Sequence, residues 1–197
     1  LIVPIEKLVE ILRLAGKPAP TLNVATNWTL VENALAALDL DSPNCLVAAF
    51  ATIAVETGSF SPCKERGGAA YLAKRYDGRG DLGNVQAGDG ERYRGRGFVQ
   101  LTGRANYRAI GREIGVDLQA EPDLALDPAI AAKVFAVFFR DHLIGDLADR
   151  EKWELVRRRV NGGLNGWAEF TKIVELLLVA TGSSVVGNTN TEGRRTA

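Results

Sequence analysis

The chain has 197 residues, 46% hydrophobic and 24% charged, with 24 Lys/Arg balanced by 24 Asp/Glu. That length supports one domain with a real core, and a net charge of zero calls globally for neither nucleic acid nor a membrane surface. No stretch is long and apolar enough to cross a bilayer, two cysteines (Cys45 and Cys63, read as free thiols) make neither a disulfide framework nor a zinc set, and one histidine excludes a multi-histidine metal site.

In LIVPIEKLVEILRLAG, Ile5, Leu8, Val9 and Leu12 recur at helical spacing and Gly16 ends the helix. The segment carries acids as well as bases and does not read as a signal peptide; a product held in the cytoplasm until released to a wall, or secreted by another route, is the matching expectation. A second helix is predicted over Trp28 to Leu38, with Trp28 read as core. The third opens on Asp41, Ser42 and Pro43, a cap followed by proline in the first turn. It runs through Leu46, Val47, Phe50, Ile53 and Val55 to Glu56, apolar nearly all round, and is predicted to be the buried central helix. From Gly58 to Gly97 the chain is glycine-rich, charged and aperiodic, and loops of that length in a compact domain are usually functional. Lys64 to Arg112 holds eleven Lys/Arg against five Asp/Glu, so a basic segment sits inside a neutral chain.

Phe98 to Leu101 reads as a short strand and Asn106 to Ile114 as a helix. Asp127 caps a helix from Pro128 to Arg140, with His142 at its end; Leu147 to Val160 and Gly166 to Val179 supply two more. Residues 181–197 form a small, polar tail expected to be disordered. The expected fold is mainly α: one domain over residues 1–180, with a loop-rich lobe and a short β element beside a cleft. Gly95 and Gly97 suit a tight turn, without the helix that a phosphate fingerprint requires. Asp77, Asp81 and Asp89 lack EF-hand spacing and are read as hydrogen-bonding residues, so no metal or other cofactor is expected.

Two carboxylates carry the chemistry. Glu56 ends an apolar helix, where desolvation and the negative end of the helix dipole favour a protonated group, as a general acid requires. Glu65, nine residues on, lies between Lys64 and Arg66, which favour the charged form that a base requires. Two carboxylates in opposed environments suit hydrolysis of a glycosidic bond.

ETGSF, YDGRGDLGN, GDGERYRGRGFVQLTGRANY and RVNGGLNG, in that order and spacing, resemble glycoside hydrolase family 19, the plant-type chitinase family, and more closely its bacterial and phage endolysin-like branch. The resemblance spans about Leu46 to Val179 and implies a lysozyme-like, chitinase-like domain. It implies Glu56 as general acid, Glu65 as general base, and Thr102 as the hydroxyl that helps hold the attacking water. It implies that Gln100, Asn106, Tyr107 and Asn161 line the sugar groove. The sequence departs from the family at three points: Val55 stands where a histidine precedes the acid, WAEFTKI replaces a segment that holds an Asp-Arg pair, and YDGR replaces YEGR.

The resulting expectation is an inverting glycosidase, a monomer without nucleic-acid or membrane partners, acting on β-1,4-linked peptidoglycan or, alternatively, chitin. A non-catalytic wall-binding module that kept the fold is the competing class, motivated by the missing histidine and arginine. The arginines Arg92, Arg94, Arg96 and Arg104 are expected to draw the protein to anionic murein; no aromatic ladder accompanies them for binding single-stranded nucleic acid.

Overall fold

A computed structural model describes Leu1 and residues 3–182. The expected disorder of the tail therefore lies outside the described residues, apart from Thr181 and Gly182.

The helix that matters most is α3, Pro43–Glu56. Ser42 accepts the backbone N–H of Cys45 at 3.2 Å and Pro43 occupies the first turn, as a cap followed by proline prescribes. Every residue from Cys45 to Ala54 is buried. Helices α8 (Ile144–Asp149), α9 (Trp153–Asn161) and α10 (Trp167–Ala180) pack on it. The remaining core helices are α1 (Ile5–Leu14), α2 (Thr21–Ala36) and α7 (Pro128–Asp141), with α2 lying along α7. Among the described residues no helix is long and apolar enough to cross a membrane.

The chain leaving α3 is pinned to this core. Phe60 packs at 4.7 Å from Phe50 and 6.4 Å from Trp28, whose own ring meets Phe50 edge-on at 5.1 Å. The carbonyl of Phe60 accepts from the side chain of Asn27 at 2.7 Å, and Asn27 is itself buried. The turn after Glu56 is thus fixed by an aromatic anchor and a buried hydrogen bond, which directs the chain into the second lobe.

That lobe is less irregular than the sequence suggests. Within the expected loop lie helix α4 (Ala69–Tyr76) and a single turn of helix, α5 (Asp89–Arg92). The β element is a two-stranded antiparallel pair, β1 (Cys63–Lys64) and β2 (Arg96–Gly97), with Cys63 opposite Gly97 and Lys64 opposite Arg96. The strand expected over Phe98 to Leu101 therefore forms two residues earlier. Phe98 to Leu101 instead turn back, with Gln100 at φ 54° and Leu101 bridging to Arg96. Lys64 and Arg96 are like charges directly opposite, which is unfavourable unless compensated. Asp123 compensates both, at 2.9 Å from Lys64 Nζ and 2.6 Å from Arg96 Nε. The helix α6 (Arg104–Ile114) closes the lobe over a second core cluster that includes Tyr93, Tyr107 and Leu118.

Two further expectations are adjusted and one holds. Helix α2 starts at Thr21, well before Trp28. The single helix expected over Leu147 to Val160 is two, α8 and α9, because Glu151 adopts φ 54° between them. His142 does end α7, where its ring stacks on Phe138 at 4.0 Å.

The three aspartates serve as hydrogen-bond hubs. Asp77 accepts from the backbone N–H groups of Gly88 and Gly90, and Asp81 pairs with Arg79. Asp89, 2% exposed, accepts from Gln86 N–H and pairs with Arg104. Burial pushes the Asp89 carboxyl up, but the Arg104 guanidinium and backbone N–H groups outweigh it and hold the group below its ordinary value. A depressed carboxylate stabilises the fold above its unfolded pKa and loses that contribution as pH falls through the folded value. Asp89→Asn should therefore melt below wild type at neutral pH. The difference in Tm should shrink below about pH 4, as thermal unfolding followed across pH would record.

Candidate active site

Helix α3 delivers Glu56 at its last residue, and β1 runs directly into Glu65. Alternation along an extended strand puts Cys63 and Glu65 on one face and Lys64 on the other. Lys64 accordingly points to Asp123, away from the carboxylates.

Both oxygens of Glu65 have donors. The Tyr76 hydroxyl donates to Oε1 at 3.0 Å and the Gly95 backbone N–H to Oε2 at 3.2 Å. The backbone N–H of Glu65 donates to the Gly95 carbonyl at 2.9 Å. Burial first, and then the bond to Glu65, push the Tyr76 phenol above its ordinary range, so it remains a donor. Thr102 stands close by: its hydroxyl would lie 3.3 Å from a Cβ built on Gly95, and it donates to the Gln100 carbonyl at 2.8 Å. Such a Cβ would also come 2.7 Å from Gln100 Oε1, so a side chain at position 95 would push the Gln100 amide aside.

Gln100 spends its amide N–H groups on the protein, donating to the Cys63 carbonyl, the Cys63 Sγ and the Gly97 carbonyl at 3.0–3.3 Å. It therefore ties the turn after β2 to β1. The half-buried Cys63 thiol senses the first carboxylate: burial, then the charge of Glu56, raise it above its ordinary value. Cys45 and Cys63 are both free, as expected.

Glu56 is not in the dry, unpartnered setting that its apolar helix suggests. Arg157 Nη1 donates to Glu56 Oε1 at 2.6 Å, and the Arg157 side chain is 2% exposed. Arg157 Nε and Nη2 both donate to the carbonyl of Asn165, the former at 2.7 Å. Asn161 secures the same carbonyl through its side-chain amide at 2.9 Å and accepts from Gly163 N–H. Gly166, at φ 71°, lets this turn approach α3; a Cβ there would sit 2.6 Å from Val55 Cγ1 and 3.3 Å from Arg157 Nη2. An arginine of α9 thus reaches Glu56 although WAEFTKI holds none, while Val55 packs on the glycine. Sequence reading missed Arg157, although Trp153, Val156 and Val160 mark the inner face of α9 and Arg157 falls on it.

The other groove residues divide. Asn106 is exposed and donates to the Thr102 carbonyl at 2.8 Å, steadying that segment. Tyr107, expected to line the groove, is fully buried. Its hydroxyl meets Arg96 Nη1 and donates to the Arg94 carbonyl at 2.7 Å, and burial pushes it up to about 12. It supports β2 from beneath, so it does not reach a sugar.

Residues 36–143 match the family model described as chitinase class I, that of glycoside hydrolase family 19, over more than half of the chain. The chain belongs to this family. A glycosyl hydrolase family 19 domain-containing protein of Haemophilus influenzae is 38% identical over 104 residues, 53% of this chain and 50% of that protein. Basic endochitinase B of Arabidopsis thaliana is 48% identical over 50 residues, 25% of this chain and 15% of its own length. The match thus spans half of the bacterial relative and less than a fifth of the plant one. The fold is that of a bacterial family 19 chitinase, with a TM-score of 0.67 at 20% identity over 95% of this chain and 98% of that one. Chitinase C of Streptomyces griseus HUT6037 gives 0.62 at 22% identity, over 79% and 84%.

Proposed function

We propose that the protein is an inverting glycosidase that cleaves β-1,4 bonds of bacterial peptidoglycan in an endolysin-like role. Glu56 protonates the glycosidic oxygen. Glu65 takes a proton from a water held with Thr102, and that water attacks the sugar carbon from the opposite face in one displacement. The carrying observation is that the two carboxylates share no hydrogen bond and are held by separate partners: an arginine anchored on a carbonyl for Glu56, a phenol and a backbone N–H for Glu65. Two carboxylates held by different parts of the fold can take the separate roles of acid and base that a single displacement needs.

Cations of the basic segment that stay exposed without an ion pair among the described residues, Arg66 and Arg75 among them, favour murein, whose glycan carries carboxylates. Chitin is the second reading, favoured by the relatives whose names are chitinases. A non-catalytic module loses part of its motivation, since Arg157 reaches Glu56 despite the altered motif.

Digestion of purified murein and of colloidal chitin in heavy-oxygen water tests the reading. Mass analysis should find one heavy oxygen at the reducing ends released from murein, and NMR of fresh product should find the inverted anomer. Release from chitin alone would move the substrate to chitin; retention at the anomeric carbon would remove the single displacement; no release from either polymer would support the binding module.

A further inference from the structure

The four arginines from Arg92 to Arg104 are already engaged inside the fold. Arg96 and Arg104 are spent on Asp123 and Asp89, Arg92 on the carbonyls of Gln119 and Ala120, and Arg94 on those of Glu65 and Gly67. The cluster expected to draw the protein to an anionic wall is therefore structural. Arg75 differs. It is exposed and forms no ion pair among the described residues. Its guanidinium donates to the Tyr71 hydroxyl at 2.6 Å and lies 5.9 Å from the Tyr71 ring centroid and 5.2 Å from that of Tyr76.

Two contacts fix this group at the rim beside Glu65. Tyr76 bonds Glu65 Oε1 directly. Tyr71, 49% exposed, lies against Gly67, where a Cβ would come 2.7 Å from its ring. A guanidinium steadied by two rings retains N–H donors in a planar fork, the geometry that binds a carboxylate.

We propose that Arg75, steadied by Tyr71 and Tyr76, takes a carboxylate carried by the glycan and so sets a preference for an anionic over a neutral aminosugar polymer. This rests on the peptidoglycan reading and adds the residue that selects it. Tyr71 supplies an exposed ring face beside the same sugar, and Arg75 reads the acid on its lactyl or peptide substituent.

The test compares kcat/KM on intact murein, on amidase-stripped strands with free lactyl groups, and on neutral chitooligosaccharides. Arg75→Ala should lower the murein-to-chitooligosaccharide ratio about tenfold or more, the scale of one charged hydrogen bond. Arg75→Lys should restore part of it. Arg79→Ala, which removes an equal charge already paired with Asp81, should leave the ratio as in wild type. A loss on intact murein assigns the carboxylate to the stem peptide, and a loss on stripped strands assigns it to the lactyl group; either supports the proposal. An unchanged ratio in Arg75→Ala, an equal fall on all three substrates, or an equal loss in Arg79→Ala overturns it. Wild type that cleaves only chitooligosaccharides sinks the peptidoglycan reading as well, whereas wild type that cleaves murein leaves that reading standing when Arg75 fails.

Discussion

Glu65→Gln is expected to lower kcat by about 10²–10⁴-fold, the usual contribution of a positioned general base, with oligosaccharide affinity largely retained. The geometry makes this a clean experiment. Tyr76 and the Gly95 N–H hold the two oxygens separately, and a glutamine keeps the shape of the site by giving its oxygen to the Gly95 N–H and donating its amide N–H to a rotated Tyr76 hydroxyl. What it loses is the ability to take a proton. Tyr76→Phe should cost less, because Gly95 still holds the second oxygen. Isothermal titration of oligosaccharide into the Glu65→Gln protein separates binding from turnover. Wild-type turnover in that variant would remove Glu65 from the chemistry, and loss of both binding and turnover would assign it to the groove instead.

Glu65 and Glu56 were legible in the sequence because each sits at the end of a local signal. The run from Ser42 to Glu56 combines a cap, a proline and unbroken apolarity, all readable without knowing what packs on it. Glu65 is marked by its flanking cations and by the family motifs. What lay hidden depends on contacts between distant segments. The register of β1 against β2 is set by Gln100, whose left-handed backbone and inward amide tie residues 97–100 to Cys63, and two-residue strands have no periodicity to announce them. Helix α4 was masked by the glycines before it and by having only Leu72 buried. The break at Glu151 is a backbone conformation that no side-chain pattern marks.

The arginines show the same limit from the other side. Their number in the segment is visible, but which of them are spent depends on partners such as Asp123 and the carbonyls of Gln119 and Ala120, roughly thirty residues on in the chain. A count of charges therefore overstated the free positive surface and gave no hint that Arg75, like the flanking Arg66, would be an exposed charge near Glu65. Tyr107 follows from the same cause. It reads as a groove residue next to Asn106, yet neighbours on a helix point in different directions, and its side is the one that packs under β2.

Arg157→Ala is expected to be the most damaging change away from the two glutamates. Removing one partner of a fully buried ion pair typically costs about 3–5 kcal/mol, because the other charge is left uncompensated. Glu56 keeps 19% of its side chain exposed, so about 2–3 kcal/mol is expected here. The loss should extend to turnover. Arg157 is the brace between Glu56 and the Asn165 carbonyl, and a misplacement of about 1 Å at a reacting group can cost about 10²-fold in rate. Arg157→Lys should recover charge but not the fork that spans Glu56 and Asn165, and should fall between wild type and alanine in both stability and kcat. Denaturant unfolding of Glu56→Gln, Arg157→Ala and the double variant measures the tie directly. A coupling of about 0.5–3 kcal/mol is expected for groups in contact. Additivity within about 0.5 kcal/mol would mean that the pair carries no energy, and Glu56 would then need another group to hold it toward the sugar.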